Sequence, residues 1–281
     1  MELQRLIWGS GFDEIVPASI LNISKKVGGV TAGAFSVDGL MIGFVYGITG
    51  VREGKLTHWS HMLGVMPSYR GRGVGRRLKH FQRDRLLERG VKEMRWTFDP
   101  LVAGNAHFNM NLLGVQIHDY VTDMYGNTGS GIHSFGTDRF VAHWDLGAPP
   151  GDDLPPQGQG VGEGPSMAGA ASVDWDAAPI VNPVAGGTPA AAPSAPAIRI
   201  RIPPDILALN SSDPLAAGAW RTETRTAFKA ARDAGYRIVG FSRTDDTVCP
   251  VYHLAREDAH QGGEPSASDR SLPREPGGGQ S

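Results

Sequence analysis

Between positions 56 and 90 the rhythm of apolar residues changes once, and the change divides the segment into a strand, a loop and a helix. Leu56, Trp59, Met62, Leu63 and Val65 alternate irregularly with polar residues up to Pro67, which has no N–H to give to a sheet ladder. Gly71, Gly73 and Gly75 follow, and glycine permits backbone conformations closed to other residues. Beyond them Val74, Leu78 and Phe81 share one helical face, Leu86 and Leu87 flank it, and Gly90 stands where a helix stops. A helix that starts on a glycine loop presents unbonded N–H groups and a positive dipole end, which is a site for an anion.

The same patterning orders the rest of the chain. Residues 16–27 predict a helix with Pro17 in its first turn and Ile20, Ile23 and Val27 on one side. Residues 31–37 and 40–49 predict a hairpin across Asp38-Gly39. Residues 94–98 read as a buried strand ended by Asp99-Pro100, and residues 105–113 as a helix with Ala106, Met110 and Leu113 on one face, stopped by Gly114. Residues 118–124 and 139–146 predict two strands around a glycine-rich turn at 126–136.

At 148–197 the composition changes to Pro, Gly and Ala without a period of 2 or 3.6, which predicts a flexible, disordered insertion. Beyond it a strand at 198–202, a helix started by Asp213-Pro214 and closed by Gly235, and strands at 236–243 and 248–254 make a strand-helix-strand-strand piece. Trp220, Thr224, Ala227, Phe228 and Ala231 form the apolar face of its helix. So small a piece has little core of its own and is expected to pack on the first half. The domain expectation is therefore 1–147, the insertion 148–197, an extension 198–256 and a disordered tail 257–281.

Composition narrows the function. The 281 residues carry 27 basic and 29 acidic side chains, a formal charge of −2, so no global field favours nucleic acid. The single Cys249 excludes an internal disulfide framework and reads as a buried structural thiol. No apolar run approaches membrane-span length and the N-terminus carries acidic Glu2 with no signal-peptide pattern, so a cytoplasmic protein without a membrane partner is expected. No metal site is expected, and a homodimer is left open.

The loop is not a P-loop, because no Gly-Lys-Ser/Thr follows its glycines, and not a dinucleotide fingerprint, because position 76 is Arg76. The spacing that fits is Arg70-x-x-Gly73-x-Gly75 after LGVM, and it is followed in order by MRWTFDPLVAGNAHFNMNLLG. Here the chain resembles the GNAT superfamily of acyl-CoA-dependent N-acyltransferases. The resemblance implies an α/β (α+β) fold, a mixed, mostly antiparallel central sheet flanked by helices, with the later strand-helix-strand-strand piece as a C-terminal extension.

It also implies acetyl-CoA or succinyl-CoA as cosubstrate. The pyrophosphate would lie on the loop at Arg70, Gly71, Arg72, Gly73, Val74, Gly75 and Arg76, and the thioester along Leu63 and Val65, with an N–H near Leu63 or Gly64 for the oxyanion. Asn105 would bond the pantetheine amide or cap its helix. Many members carry a Tyr as acid toward the thiolate where this chain has Met110. The second half, from IPPDILALN to GYRIVGF, is similar to a longer branch resembling bacterial N-succinyltransferases of free amino acids.

Catalytic candidates follow. His58 and His61 lie on the central strand with side chains suited to proton transfer near neutral pH, and their spacing puts them on opposite faces. His61, nearer the expected thioester, is preferred as base; a histidine satisfied within the sheet is the alternative. Asp99 ends the second central strand, where ligands collect in α/β sheets, or serves as a turn acid. Arg139 is a candidate for a substrate carboxylate, or one half of a structural pair with Asp138. The basic side chains around the loop, Arg70 to Lys79, suit phosphate groups or a solvated helix face; a nucleic-acid reading lacks a second basic surface. A GNAT-like module that binds acyl-CoA without turnover is the remaining class.

Overall fold

The computed structural model describes residues 1–9, 12, 14–126, 136–147, 173–182, 195–243 and 249–256. In chain order these form α1 (Glu2–Trp8), α2 (Ala18–Lys26), β1 (Val30–Phe35), β2 (Met41–Arg52), β3 (Lys55–Val65), α3 (Val74–Leu87), β4 (Glu93–Phe98) and α4 (Ala103–Ala106). They continue with β5 (Gln116–Val121), β6 (Arg139–Asp145), β7 (Ala197–Arg201), α5 (Ile206–Ser212), α6 (Pro214–Asp233), β8 (Tyr236–Ser242) and β9 (Val251–Arg256). The fold is mixed α/β, and its six-stranded sheet runs β1-β2-β3-β4-β6-β5, antiparallel except where β3 meets β4. A second sheet, β7-β9-β8, is antiparallel throughout.

Two faces of the large sheet are treated differently. Ile42, Val45, Val74 and Leu78 pack α3 onto β2, while Phe44, Tyr46 and Met62 pack the opposite face against α1 and the start of α2. β2 is therefore buried on both faces through residues 42–47, a continuous rather than alternating run. β4 alternates instead: Met94, Trp96 and Phe98 enter the core and Glu93, Arg95 and Thr97 face the other way.

The second sheet and α6 join that core through Ile198, Ile200, Ala227, Phe228 and Tyr252. Phe140 touches both parts, with ring centroids 4.9 Å from Phe228 and 5.3 Å from Tyr252. Tyr252 also donates its hydroxyl to the Pro100 carbonyl at 2.8 Å.

Several local expectations are corrected. Ile20 and Ile23 of α2 and Val27 just beyond it are exposed, because the helix turns Ser24 inward to donate to the Gly47 carbonyl at 2.7 Å. Phe81 is exposed too, its place in the α3 core taken by Lys79 and Gln82. The Asp38-Gly39 hairpin closes with bonds between Ser36 and Leu40, a longer loop than a two-residue turn. The helix expected at 105–113 is α4 followed by a π-helical turn at His107–Leu112, and Asn105 is no cap, since Val102 occupies that position.

Within the expected insertion, residues 173–182 pack against β7, which departs from a segment without a core. Asn182 exchanges two hydrogen bonds with the Arg201 main chain at 2.8 and 2.9 Å, and Ala178 and Val181 are buried. The expectations for 148–172, 183–194 and 257–281 lie outside the described residues, as does most of the turn at 126–136. Two helices escaped the patterning altogether: α1, and α5 with its Asp205 cap bonded to the Leu207 and Ala208 amides. No helix among the described residues is long and apolar enough to cross a membrane.

Candidate active site

The glycine loop builds an open helix start. After a 3-10 turn at Pro67–Tyr69, Gly71 and Gly73 take φ of 74° and 73°, and Gly73 in the left-handed region is the N-cap of α3. Among the described residues no side chain caps this end, and Arg77 N to Gly73 O, at 3.0 Å, begins the helical ladder. The amides of Val74, Gly75 and Arg76 precede that first bond and face outward from the helix end, an arrangement suited to phosphate oxygens. Around them Arg70 reaches back to the Val65 carbonyl at 3.2 Å and Arg72 lies over the Tyr69 ring at 5.3 Å. A Cβ on Gly75 would meet Phe108 at 3.6 Å and Leu63 at 3.7 Å, so the loop, β3 and the π-helical turn converge there.

Beside the loop the sheet forks. β3 and β4 pair only at His58–Met94 and Trp59–Arg95. In the same place the β2–β3 register slips between Tyr46–Met62 and Ile48–Trp59, leaving Ser60 and His61 opposite Gly47 in a bulge. From there to Val65, β3 is bonded to β2 on one edge, and among the described residues no strand pairs with its other edge. Leu63 and Val65 lie on this stretch with their side chains packed toward α3.

The two histidines do lie on opposite faces. His58 is fully buried toward α3, with Nδ1 2.9 Å from Thr49 Oγ1 and Nε2 3.0 Å from Gln82 Nε2. Burial, with the Lys79 and Arg89 charges adding to it, pulls its pKa down to about 3. Both nitrogens are engaged and the ring is held neutral, so the reading of a histidine satisfied within the sheet fits His58 and the base role does not. His61 is exposed on the other face, edge-on to Tyr46 at 5.8 Å. Burial of part of the ring lowers its pKa, and Glu14 opposes that shift.

Asp99 and Arg139 are brought together in a buried ion-pair cluster. Asp99 Oδ1 accepts from the Leu101 amide at 2.8 Å, and Oδ2 accepts from Arg221 of α6 at 2.5 Å and from Arg139 at 3.4 Å. Arg139 also donates to the Asp138 carbonyl at 2.8 Å, while the Asp138 carboxylate goes to Arg225 and to the Tyr120 hydroxyl. The expected Asp138–Arg139 side-chain pair is thus replaced by Asp99–Arg139. Asn105 is exposed in α4 without a capping bond, and Met110 is buried in the core, so no acid stands at that position.

Sequence reasoning missed a buried polar chain beneath β3. Thr49, His58, Gln82 and Ser60 follow one another through hydrogen bonds, and Lys79 Nζ ends the chain 2.9 Å from Ser60 Oγ. A signal was present: Gln82 lies four residues from both Leu78 and Leu86, on the core face. Missed as well was the polar face opposite α3, where Glu93 binds Thr57 at 2.6 Å, Arg95 at 3.0 Å and His143 at 3.1 Å. Burial would raise the Glu93 pKa, but those hydrogen bonds and charges bring it down to about 2. A cleft of about 580 Å³ lined by Lys55, Leu56, Gly90, Lys92, Glu93, His143 and Asp145 opens at the far end of β3 and β4 from the glycine loop. Among the described residues no cluster of His, Cys, Asp and Glu could hold a metal ion.

A family model falls on the same part of the chain. Residues 15–108 match the model of the acetyltransferase (GNAT) family. No curated protein matches the sequence. Among solved structures, nourseothricin acetyltransferase is similar at 23% identity over 43% of this chain and 67% of its own, with a TM-score of 0.36. Aminoglycoside 6'-acetyltransferase type Ii is similar at 19% identity over 53% and 88%, TM-score 0.42. The ribosomal-protein-S18-alanine N-acetyltransferase from Escherichia coli is similar at 17% identity over 54% and 88%, TM-score 0.40. The glycine loop, the fork and both histidines all lie within 15–108, the segment that matches the acetyltransferase (GNAT) family model.

Proposed function

We propose that the chain is an acyl-CoA-dependent N-acyltransferase that moves an acetyl or succinyl group to the amine of a small molecule, a free amino acid first among them, by direct attack with both substrates bound. The observation that carries this is the uncapped start of α3 opening beside the unpaired edge of β3. In this reading the pyrophosphate of coenzyme A lies on the amides of Val74, Gly75 and Arg76, with Arg70 and Arg72 beside it. The pantetheine arm runs into the fork along Leu63 and Val65, past Asn105, and a main-chain N–H near Leu63 or Gly64 stabilises the developing oxyanion.

The acceptor approaches from the face that α3 does not cover. His61 stands on that face and takes the amine proton, directly or through water. The amine nitrogen then bonds to the carbonyl carbon, the C–S bond breaks and coenzyme A leaves as thiolate. Arg139 is turned to Asp99, so the partner of an amino-acid carboxylate is to be sought elsewhere on this face. The reading needs no nucleic acid and no membrane, places the enzyme in the cytoplasm and leaves a homodimer open.

The test is mass spectrometry of products after incubation with acetyl-CoA, succinyl-CoA and a pool of amino acids. N-acylated amino acids formed only with active protein support the reading. Failure with every amino acid, while a polyamine or a protein lysine is acylated, would move the acceptor class.

A further inference from the structure

The acyl-transfer reading leaves the acceptor's carboxylate without a partner, and the face that carries His61 supplies one. Ile48 pairs with Trp59, Trp59 with Arg95 and Arg95 with His143, so these residues form one row across β2, β3, β4 and β6. Paired residues turn their side chains to the same side of a sheet. His58 and Met94, one position back, are buried on the α3 side, which puts the row on the opposite side with His61, two residues further along β3. Trp59 with Arg95 is also the last pair before β3 and β4 part, so the row crosses the sheet at the base of the fork.

Arg95 is held there without being used up. Its side chain is 16% exposed, and Nε and Nη2 donate to the two Glu93 oxygens at 3.0 and 3.5 Å. Glu93 is filled from other directions too, since Thr57 Oγ1 donates to Oε1 at 2.6 Å and His143 Nε2 lies 3.1 Å from Oε2. A guanidinium has five N–H bonds, and the grip on Glu93 engages one from each of two nitrogens. Nη1 bonds to none of the described residues and is not closed off from the surface. The guanidinium is thus fixed along one edge and open along the other, a form in which arginine takes a carboxylate. Next to it in the row stand two apolar groups that the fold leaves uncovered, Trp59, half-buried, and Ile48, 45% exposed. An apolar side chain laid on them removes area from water on both partners, whereas a second carboxylate there would lose water without gaining a partner.

We propose that this row is the acceptor subsite: Arg95 binds the carboxylate of an α-amino acid, and Trp59 and Ile48 receive its apolar side chain. The inference rests on the acyltransferase reading and deepens it by naming the acceptor class. Arg95 binds and orients the acceptor and takes no part in proton transfer. With the carboxylate held at the base of the fork, the amine one carbon away is presented to the thioester and to His61.

The experiment measures acetyl transfer from acetyl-CoA to leucine, to aspartate and to 3-methylbutylamine, which is leucine without its carboxylate, in wild type, Arg95→Gln and Arg95→Lys. The amines differ in pKa, so the readout is the change in the leucine-to-amine ratio of kcat/KM between proteins, in which that difference cancels. Arg95→Gln should lower the ratio by about ten- to a hundredfold, chiefly through KM for leucine, and Arg95→Lys, which keeps the charge and loses the planar fork, should fall between. Wild type should prefer leucine to aspartate by at least about tenfold. Circular dichroism checks the fold of both variants; if Arg95→Gln does not fold, Arg95→Lys and the leucine–aspartate comparison in wild type decide. A ratio unchanged in the folded variants, or a wild type that takes aspartate as readily as leucine, overturns the proposal. Acetylation of a polyamine or a protein lysine alone also overturns it and leaves the acyltransferase reading standing, whereas a protein that acetylates no amine overturns both.

Discussion

Arginine stands in two opposite settings at the two ends of the candidate site. Around the glycine loop, Arg70, Arg72 and Arg77 are exposed and form no ion pair among the described residues. At the contact between β4, β6 and α6, Arg139, Arg221 and Arg225 meet Asp99 and Asp138, which are 8% and 0% exposed. A buried charge must be compensated within the fold, whereas a charge left at an uncapped helix end is available to a ligand. The contrast sets the buried, paired Asp99 and Arg139 apart from the exposed arginines at the start of α3.

The largest effect should follow from breaking the closed end. Asp99→Ala strands Arg221 and Arg139 without their carboxylate, and loss of one partner of a buried pair costs about 3–5 kcal/mol. Chemical denaturation should register that loss, while the folded fraction keeps its affinity for acetyl-CoA. A normal stability would show that the clamp is incidental.

The two histidines sharpen the contrast on a smaller scale. His61→Gln should lower turnover by roughly two to four decades with coenzyme binding intact. The deficit should shrink as pH rises and more of the acceptor amine is already neutral. His58→Gln should instead lower stability by about 1–3 kcal/mol, because Thr49 and Gln82 lose a buried partner, with turnover nearly unchanged. If His58→Gln were the variant to abolish turnover, the base would be on the α3 side of the sheet and the assignment made here would be reversed.

Subtler effects should appear in pH titrations of stability. Arg225, Tyr120 and the Asp123 amide hold the Asp138 carboxyl below its ordinary value against the opposing effect of burial. Its contribution is therefore present above the unfolded carboxylate pKa and is lost as pH falls through the lower folded value. Asp138→Asn should flatten that acid limb. Lys79 acts with the other sign: its folded pKa is depressed, so the unfolded chain binds the extra proton and stability rises with pH between the folded value and the ordinary lysine range. Lys79→Met should lose this rise, and an unchanged alkaline slope would show that burial does not depress the Lys79 pKa.

What was legible in the sequence was local. The glycines at 71 and 73 take left-handed conformations, and the strand, loop and helix around them stand where the apolar rhythm placed them. Parity along β3 put His58 and His61 on opposite faces, but it could not say which face α3 covers. The fork depends on how far two strands stay paired across an intervening helix, and no run of residues encodes that length. The clamp joins Asp99 to Arg221 across 122 positions, and neither neighbourhood hints at the other. Exposed Ile20, Ile23 and Val27 show the reverse error, a helical face that patterning assigned to the core.

The central claim is that the uncapped start of α3 is the coenzyme A site, and titration calorimetry of acetyl-CoA into wild type and Gly73→Asp tests it most directly. Aspartate tolerates the left-handed backbone better than most residues, and its carboxylate would stand against the pyrophosphate. The account predicts saturable one-site binding to wild type and an affinity weaker by about a hundredfold or more in the variant, with the circular dichroism of the two proteins superimposable. Equal affinity in the two folded proteins would contradict it.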